Sequence, residues 1–347
     1  MILQNYYMFF KLKYSIISFM KTKTIENLGE FGLIDFIKKH NTKPKKHHNT
    51  VLDIGDDCFV FNPHTKSKYI VTTDILIENI HFKRQWATAK QIGQKAIEVN
   101  VSDIASMGNT VPLYAFVSLG IPKNTSISFV TELFKSIKST CDKYGIHLSG
   151  GDTVGAKYIT ISVTLIGICY GKPISRKGAK NGDLIFVTGT FGDSFAGLEI
   201  LSKNKKNLTI YEKNLIKKHL VPQARLKEAT LISKNMTVTS MTDSSDGLFK
   251  SIELLTEKKG AVINMEQLPL SQNLIKYTNK DYNKLYNYAL FGGEEFELVF
   301  TINKKDKTKL EKLLPNATCI GQINNNKVSY LQNGKTRKVK YSGYKHF

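Results

Sequence analysis

Residues 89–108 read AKQIGQKAIEVNVSDIASMG, and this stretch decides the predicted fold around it. One set of positions in it recurs at helical spacing: Ile92, Ala96, Val99, Asp103 and Met107. The spacing predicts a helix over residues 89–107 with one apolar face, and it places Asp103 in line with that face. A carboxylate buried alone costs on the order of several kcal/mol, so we expect Asp103 to be paired or bound to a metal ion.

Aspartates also follow apolar runs elsewhere, although only 29 of the 347 residues are acidic. The motifs are IGDD (54–57), VTTD (71–74), VNVSD (99–103), LSGGDT (148–153) and TDSSDG (242–247). Each motif alone fits an ordinary turn or helix cap. Together they place carboxylates at the ends of strands and helices, which favours a site for several hard cations and phosphates.

The totals restrict the classes of protein that fit. A length of 347 residues suggests about two domains at ~150 residues each. The net charge of +21 would attract polyanions, but the lysines are scattered and accompany no recognition motif, so no nucleic-acid partner is predicted. Four separated cysteines without a Cys-x-x-Cys pair are typical of buried thiols in a reducing cytosol, which predicts a cytoplasmic protein.

The N-terminal segment is apolar but does not predict a membrane span. Lys11 and Lys13 interrupt residues 1–20, whereas a span needs about 20 uninterrupted apolar residues. We predict a poorly ordered extension over residues 1–25. Folded sequence is expected from about Leu28, where a first helix begins.

Strands and helices follow one another without regular alternation. Strands are predicted over residues 51–54, 69–73, 158–170, 184–188, 238–242, 261–265 and 296–302, and further helices over residues 127–144, 194–201 and 247–257. The pattern predicts an α/β fold of mixed α+β sheets in two domains, and not one barrel. We place the boundary near residues 171–176, which gives domains over residues 26–173 and 174–347.

Two glycine-rich motifs invite a phosphate-binding interpretation. Gly150 and Gly151 are predicted to form a turn whose backbone amides approach phosphate while Asp152 holds a cation. The GTFG sequence at residues 189–192 lacks the lysine of a phosphate-binding loop and is predicted to be a plain strand-to-helix turn. Ser245 and Asp246 precede a predicted helix, where amides favour phosphate.

The order of the motifs is more specific than any one of them. The motifs are, in order, IGDD, VTTD with a downstream HF, VNVSDIASMG, LSGGDT, ISRKGAKNGD, VTGTFGDS, SSDGL, FGGEEFEL and GYKHF. From about Leu28 to Phe347, this succession of motifs resembles that of the thiamine-monophosphate kinase family. That family is similar to the aminoimidazole-ribonucleotide-synthetase superfamily. The resemblance implies a two-domain architecture and a homodimer formed through the N-terminal domain.

The resemblance also implies roles for individual residues. The implied metal ligands are Asp57, Thr72, Thr73, Asp74, Asp103, Asp152, Asp243 and Asp246. The implied ATP contacts are Tyr144, Gly151, Asp152, Arg176 and Ser245, and the implied substrate contacts are His81, Glu294 and Tyr344. The family usually has Glu-Asp-Tyr where this chain has Glu294, Glu295 and Phe296, so a phenol hydroxyl is lost.

The implied reaction is transfer of the γ-phosphoryl group of ATP to thiamine monophosphate, giving thiamine diphosphate, the last step of its biosynthesis. Several Mg²⁺ ions and ATP are the implied cofactor and co-substrate. The nucleophile is already an anionic phosphate oxygen, so no catalytic base is assigned, and transfer is assisted by metal and by Arg176. Another ATP-dependent synthetase or maturation enzyme of the same superfamily is the nearest alternative. A basic RNA-binding protein and an inactive scaffold are further alternatives.

Overall fold

The fold is taken from a computed structural model that describes residues 50–52, 56–62, 67–257 and 259–338. The predictions for residues 1–25, for the helix from Leu28 and for Tyr344 lie outside these residues. Among the described residues, no helix is both long and apolar enough to cross a membrane.

The first sheet contains the strands that precede residue 170. They are β1 (Thr50–Leu52), β2 (Phe59–Phe61), β3 (Lys68–Ile77), β4 (Thr110–Ile121), β5 (His147–Gly155) and β6 (Thr160–Cys169). The strand order is β1-β2-β3-β6-β4-β5, and every pairing is antiparallel except that of β4 with β5. The alternation of buried and half-buried residues along β6 gives this sheet one core face.

Two 18-residue helices, α1 (Ala89–Ser106) and α2 (Ile127–Tyr144), pack together, and α1 lies against β3, β4 and β6. Helix α1 begins with a capping box in which Thr88 Oγ1 accepts from the Gln91 amide while the Gln91 side chain accepts from the Thr88 amide. This helix also contacts β8 (Val238–Asp243) of the second sheet. Helix α1 is therefore the element that joins the two sheets.

The second sheet contains strands that follow residue 183. Besides β8 they are β7 (Leu184–Val187), β9 (Gly260–Asn264), β10 (Leu298–Ile302), β11 (Thr318–Asn324), β12 (Ser329–Gln332) and β13 (Lys335–Lys338). Their order is β13-β12-β9-β11-β7-β10-β8, and only β9 and β12 are parallel. Every residue of β7 and β10 is buried, so these central strands are covered on both faces.

Seven α-helices accompany the second sheet in the described chain. They are α3 (Asp193–Ser202), α4 (Ile210–Leu220), α5 (Leu226–Asn235), α6 (Leu248–Thr256), α7 (Gln272–Tyr277), α8 (Tyr282–Phe291) and α9 (Lys307–Leu313). Buried apolar residues form one core under the first sheet, two around the second sheet and a smaller one among α3, α4, α7 and α8.

The predicted α/β fold with mixed sheets is confirmed. The predicted helices over residues 89–107 and 127–144 agree with α1 and α2 to within a residue. The long central strand β4 was not predicted from the sequence. The boundary near residues 171–176 falls between the last strand of the first sheet and the first strand of the second, and the division into domains stays a prediction.

The prediction of a glycine-rich turn at residues 150–153 was wrong, because these residues belong to the edge strand β5. Gly150 and Gly151 have φ angles of 154° and 151°, which favour glycine. A Cβ atom on Gly151 would lie 1.8 Å from the Val117 carbonyl oxygen of β4. Glycine is therefore needed here so that the two parallel strands can pair.

We predict that Gly93→Ala destabilises the protein. A Cβ atom on Gly93 would lie 2.6 Å from the Leu133 carbonyl oxygen of α2, which is backbone and cannot move without separating the helices. Alanine gains about 1 kcal/mol of helix propensity. Overpacking costs about 1–3 kcal/mol, so the free energy of unfolding in urea should fall by up to about 2 kcal/mol.

Gly155→Ala is the matched control for this measurement. Nothing lies within 4 Å of a Cβ atom at Gly155 and its φ angle is not positive, so its effect should stay within about 0.5 kcal/mol. A Gly93→Ala protein more stable than the parent would contradict the close packing of α1 on α2.

Candidate functional site

Three aspartates from separate segments meet at one point. Asp57 lies just before β2, Asp103 lies near the C-terminal end of α1, and Asp243 is the last residue of β8. A carboxylate oxygen of each lies within 4.8 Å of an oxygen of the other two. The site therefore joins the first sheet, its main helix and the second sheet.

Hydroxyl groups hold two of these carboxylates in place. Thr72 Oγ1 on β3 donates to Asp103 Oδ2 at 2.5 Å, and Ser102 Oγ on α1 donates to Asp243 Oδ2 at 2.6 Å. The expectation that Asp103 is paired is confirmed. Each carboxylate keeps its second oxygen for other partners.

Asp57 has a partner of opposite charge. The Arg176 guanidinium donates to Asp57 Oδ1 through both Nε, at 3.0 Å, and Nη2, and Thr242 Oγ1 donates to the same oxygen at 3.1 Å. Asp57 Oδ2 is buried and has no hydrogen-bond partner among the described residues. Asp56 accepts from Ser175 Oγ at 2.7 Å and is not one of the three clustered aspartates.

The carboxylates of this cluster disfavour one another's charge. Burial, and then the carboxylates of Asp74, Asp243 and Asp57, raise the pKa of Asp103 well above its ordinary value. Burial and the Asp57 carboxylate raise the pKa of Asp243 to about 8. The free protein therefore holds protons here that a cation would displace.

Asp74 and Asp246 extend the same acidic region. Burial raises the pKa of Asp74 to about 6, and the carboxylates of Asp246 and Asp57 add to the shift. Asp246 lies two residues before α6, whose N-cap, Gly247, brings no side chain to the helix amides. Five of the predicted metal ligands thus act on one another electrostatically.

Thr72 and Thr73 lie on opposite faces of β3, because side chains alternate along a strand. Thr72 is buried and bonded to Asp103, whereas Thr73 is exposed and accepts from Thr164 Oγ1 at 3.2 Å. The Thr73 hydroxyl therefore points away from the carboxylates. Its role as a metal ligand stays a prediction.

The chemistry of the cluster fits a hard divalent cation. Its donors are carboxylate and hydroxyl oxygens, which Mg²⁺ prefers, and the buried Asp57 Oδ2 and Ser244 Oγ have no partner among the residues described. Buried polar atoms without partners are costly. A cation at this point would satisfy an orphaned oxygen and relieve the repulsion.

The predicted substrate contacts His81 and Glu294 lie on either side of a buried lysine that the sequence analysis missed. Lys95 Nζ on α1 lies 2.7 Å from Glu294 Oε1 and donates to the His81 carbonyl oxygen at 3.4 Å. His81 Nδ1 accepts from the Ile77 amide at 3.0 Å, which leaves the proton on Nε2 when the ring is neutral.

A second missed residue, His219 on α4, lies on the other side of Glu294. Its Nδ1 atom is 3.2 Å from Glu294 Oε2 and 3.2 Å from Ser194 Oγ. Burial and Lys95 lower the pKa of His219 to about 4, so the ring is neutral near pH 7. Burial alone would raise the pKa of Glu294, but the Lys95 ammonium group holds it below its ordinary value.

The segments SSDG and GGEEFE lie side by side. The Glu294 amide donates to the Ser245 carbonyl oxygen at 2.6 Å, and the Phe296 amide donates to the Ser244 carbonyl oxygen at 2.9 Å. The pairing brings the predicted ATP contact Ser245 next to the predicted substrate contact Glu294.

The predicted ATP contacts Tyr144 and Asp152 have partners outside the cluster of Asp57, Asp103 and Asp243. Tyr144 Oη donates to Glu98 Oε2 at 2.7 Å. Burial, and then the charge and hydrogen bond of Glu98, raise the pKa of Tyr144. Asp152 is exposed on β5, next to Gly151, and accepts from the Thr153 amide at 2.8 Å. Their assignments to ATP, and that of Asp152 to a metal ion, stay predictions.

The GTFG turn is a strand-to-helix turn as predicted, and a carboxylate of the same chain occupies the end of its helix. Glu295 Oε1 accepts from the Gly192 amide at 2.8 Å and from the Ser194 amide at 3.0 Å, at the start of α3. Glu295 is buried. A carboxylate here satisfies the amides that an incoming phosphate would need.

Comparison with known proteins identifies the relatives of this chain. The family described as AIR synthase related protein, N-terminal domain, matches residues 55–169. Thiamine-monophosphate kinase of Aquifex aeolicus is 37% identical over 325 residues, which cover 93% of this chain and 99% of the relative. Thiamine-monophosphate kinase of Bacillus subtilis is 32% identical and covers 92% of this chain and 100% of its own.

Solved structures agree with these relatives. AaThiL complexed with AMPPCP and TMP superimposes with a TM-score of 0.82 at 36% identity, over 94% of this chain and 99% of that one. E. coli HypE matches with a TM-score of 0.63 at 17% identity, over 90% of this chain and 97% of its own, which shows a shared fold alone. The chain described here belongs to the thiamine-monophosphate kinase family.

Proposed function

We propose that this protein transfers the γ-phosphoryl group of ATP to thiamine monophosphate, forming thiamine diphosphate and ADP. The observation that carries the proposal is the cluster of Asp57, Asp103 and Asp243 within 4.8 Å, in a chain that belongs to this kinase family. The solved relative complexed with AMPPCP and TMP supports the choice of substrates. HypE shares the fold at 17% identity and gives no comparable support for a maturation reaction.

The transfer needs alignment and charge neutralisation more than acid–base catalysis. A phosphate oxygen of thiamine monophosphate forms a bond to the γ-phosphorus, and the bond from that phosphorus to the β,γ-bridging oxygen breaks as ADP leaves. The nucleophile is already anionic, so the residues have no proton to remove. We propose direct in-line transfer without a phospho-enzyme.

Each group of side chains has a part in this reaction. Asp57, Asp103 and Asp243, with Asp74 beside them, would hold Mg²⁺, which when bound neutralises phosphate charge and orients the two substrates. The Arg176 guanidinium, which donates to Asp57 Oδ1, would also contact phosphate oxygens. The α6 amides behind Gly247 offer further donors to phosphate.

The proposed function predicts turnover of thiamine monophosphate and not of free thiamine. Full-length protein with ATP and Mg²⁺ should release ADP in a coupled assay only when thiamine monophosphate is present. Asp243→Asn should lower kcat by at least about 100-fold, because one cluster carboxylate is removed. Phosphorylation of thiamine alone, or an Asp243→Asn protein with wild-type kcat, would contradict the proposal.

Mg²⁺ should stabilise the protein more strongly as the pH rises. Asp243 has a pKa of about 8 in the folded protein against an ordinary value of 3.8, so the folded state holds a proton that the unfolded chain releases between these values. The free energy of unfolding of the metal-free protein must therefore fall as the pH rises from about 4 to about 8. At about 100 times its Kd, Mg²⁺ adds about 3 kcal/mol.

The measurement is the melting temperature with Mg²⁺ and with EDTA at pH 6, 7 and 8. The difference between the two conditions should increase with pH, because protons compete less with the cation. Asp103→Asn should reduce this difference while raising the melting temperature in EDTA, since one repelling carboxylate is lost. If this difference in melting temperature did not depend on pH, the proposal that protons and Mg²⁺ compete for the same carboxylates would be contradicted.

We also propose a homodimer formed through the outer face of the first sheet. Register pairs place Tyr114 beside Ile166 and Phe116 beside Thr164, on the face opposite α1 and α2. Tyr114 and Phe116 are 45% and 40% exposed, and Ile75 on β3 is 47% exposed. A broad apolar face that no described element covers is suited to a second copy of the chain.

We expect Phe116→Glu to convert the dimer to a monomer, because the charge would be buried without a partner at the centre of the interface. Sedimentation equilibrium measures the result. Ile127→Glu is the matched control, since Ile127 is 84% exposed at the start of α2 and outside this face. A wild-type monomer, or dissociation by both substitutions, would contradict the proposed interface.

A further inference from the structure

We infer that Lys95 is a positioning residue that holds the Glu294 carboxylate in place for the thiamine end of the substrate. This inference rests on the proposed function and on the predicted substrate contact at Glu294. Its physical basis is the contact of Lys95 with both predicted substrate segments, at His81 and at Glu294.

Lys95 is a buried cation on α1, and its charged partner is Glu294. It is 3% exposed, and a lysine is almost never buried to that extent without a partner of opposite charge. Its nearest carboxylate is Glu294 at 2.7 Å. The ammonium group can therefore fix Glu294 from the buried side while competing little with a ligand on the open side.

Glu294 retains an exposed part that a substrate can reach. Its side chain is 28% exposed, although one oxygen faces Lys95 and the other faces His219. The thiazolium ring of thiamine monophosphate carries a permanent positive charge, which an anionic carboxylate attracts. The His219 ring is neutral near pH 7. Among Lys95, His219 and Glu294, Lys95 therefore supplies the only full positive charge.

The backbone at Glu294 requires external support. Its φ angle is +63°, and that of Phe296 is +53°, in a region that residues other than glycine seldom adopt. Such conformations persist where surrounding contacts hold them. The bond from the Glu294 amide to Ser245 O supports one side of this segment, and Lys95 supports the carboxylate.

Lys95 also joins parts of the chain that are distant in sequence. It lies on the helix of the first sheet, Glu294 lies just before β10 of the second sheet, and the His81 carbonyl follows β3. A contact from α1 to both segments fixes the distance between them. The side chain thus shapes the substrate site without needing to touch the reacting atoms.

The test compares Lys95→Met, Lys95→Arg and Glu294→Gln in the full-length protein, with KM measured separately for thiamine monophosphate and ATP. Lys95→Met should raise the KM for thiamine monophosphate roughly 10- to 100-fold, as expected for loss of a charge-assisted hydrogen bond. The KM for ATP should change less than about 2-fold. Lys95→Arg retains the charge and should recover most of the loss.

A double variant makes the result specific to this pair. Lys95→Met combined with Glu294→Gln should be no more impaired than the worse single variant, because both changes remove the same interaction. Lys90→Met is the matched control, since Lys90 is an exposed lysine of the same helix, and it should leave both KM values unchanged. Melting curves of all variants separate loss of fold from loss of binding.

The outcomes distinguish the two proposals. A wild-type protein that does not turn over thiamine monophosphate would overturn the proposed function and this inference with it. If the wild-type protein turns over thiamine monophosphate but Lys95→Met raises the KM for both substrates equally, the inference alone is overturned. The same holds if Lys95→Met raises neither KM. Additive effects of Lys95→Met and Glu294→Gln would also overturn it.

Discussion

The repulsion among Asp57, Asp103 and Asp243 is the constraint on which the rest of the structure depends. Carboxylates whose oxygens lie within 4.8 Å cannot all be charged without compensation. Arg176 and three hydroxyl donors supply part of this compensation. Within the described parts of the chain, a buried oxygen of Asp57 has no hydrogen-bond partner. In the proposed function, a bound cation and phosphates would remove this residual cost.

Helix α1 connects the carboxylate cluster to other parts of the molecule through its polar side chains. Ser102 and Asp103 reach the carboxylate cluster, Lys95 reaches Glu294, and Glu98 is fully buried, where it binds Lys143 at 2.7 Å. These four polar side chains therefore have partners on four different neighbouring segments. A helix with polar contacts on several sides fixes the two sheets relative to one another more specifically than an apolar stripe could.

Much of the site was predictable because its residues follow local rules. Asp103 could be assigned to a buried stripe by counting residues, and Asp243 to the end of a strand from the apolar run before it. Asp74 was expected at the end of a strand over residues 69–73 but lies within β3, because the strand continues to Ile77. The contacts of Lys95 and His219 with Glu294 could not be predicted, because they depend on the packing of α1 and α4 against a loop far along the chain. The glycines of β5 were misread as a turn because the sequence does not show that β4 approaches them in parallel.

Helices α3 and α6 both have a glycine N-cap, but the surroundings of the two helix starts differ. At α3 the buried Glu295 carboxylate accepts hydrogen bonds from the amides of Gly192 and Ser194, so a side chain of the protein itself compensates the helix dipole. At α6 the N-cap is Gly247, and the residues before it belong to the acidic region. In the proposed function, phosphate binds at the helix start that lies beside the carboxylates, where a cation can accompany it. The identity of the nearby acidic residue, more than the glycines themselves, determines which turn can serve as a phosphate site.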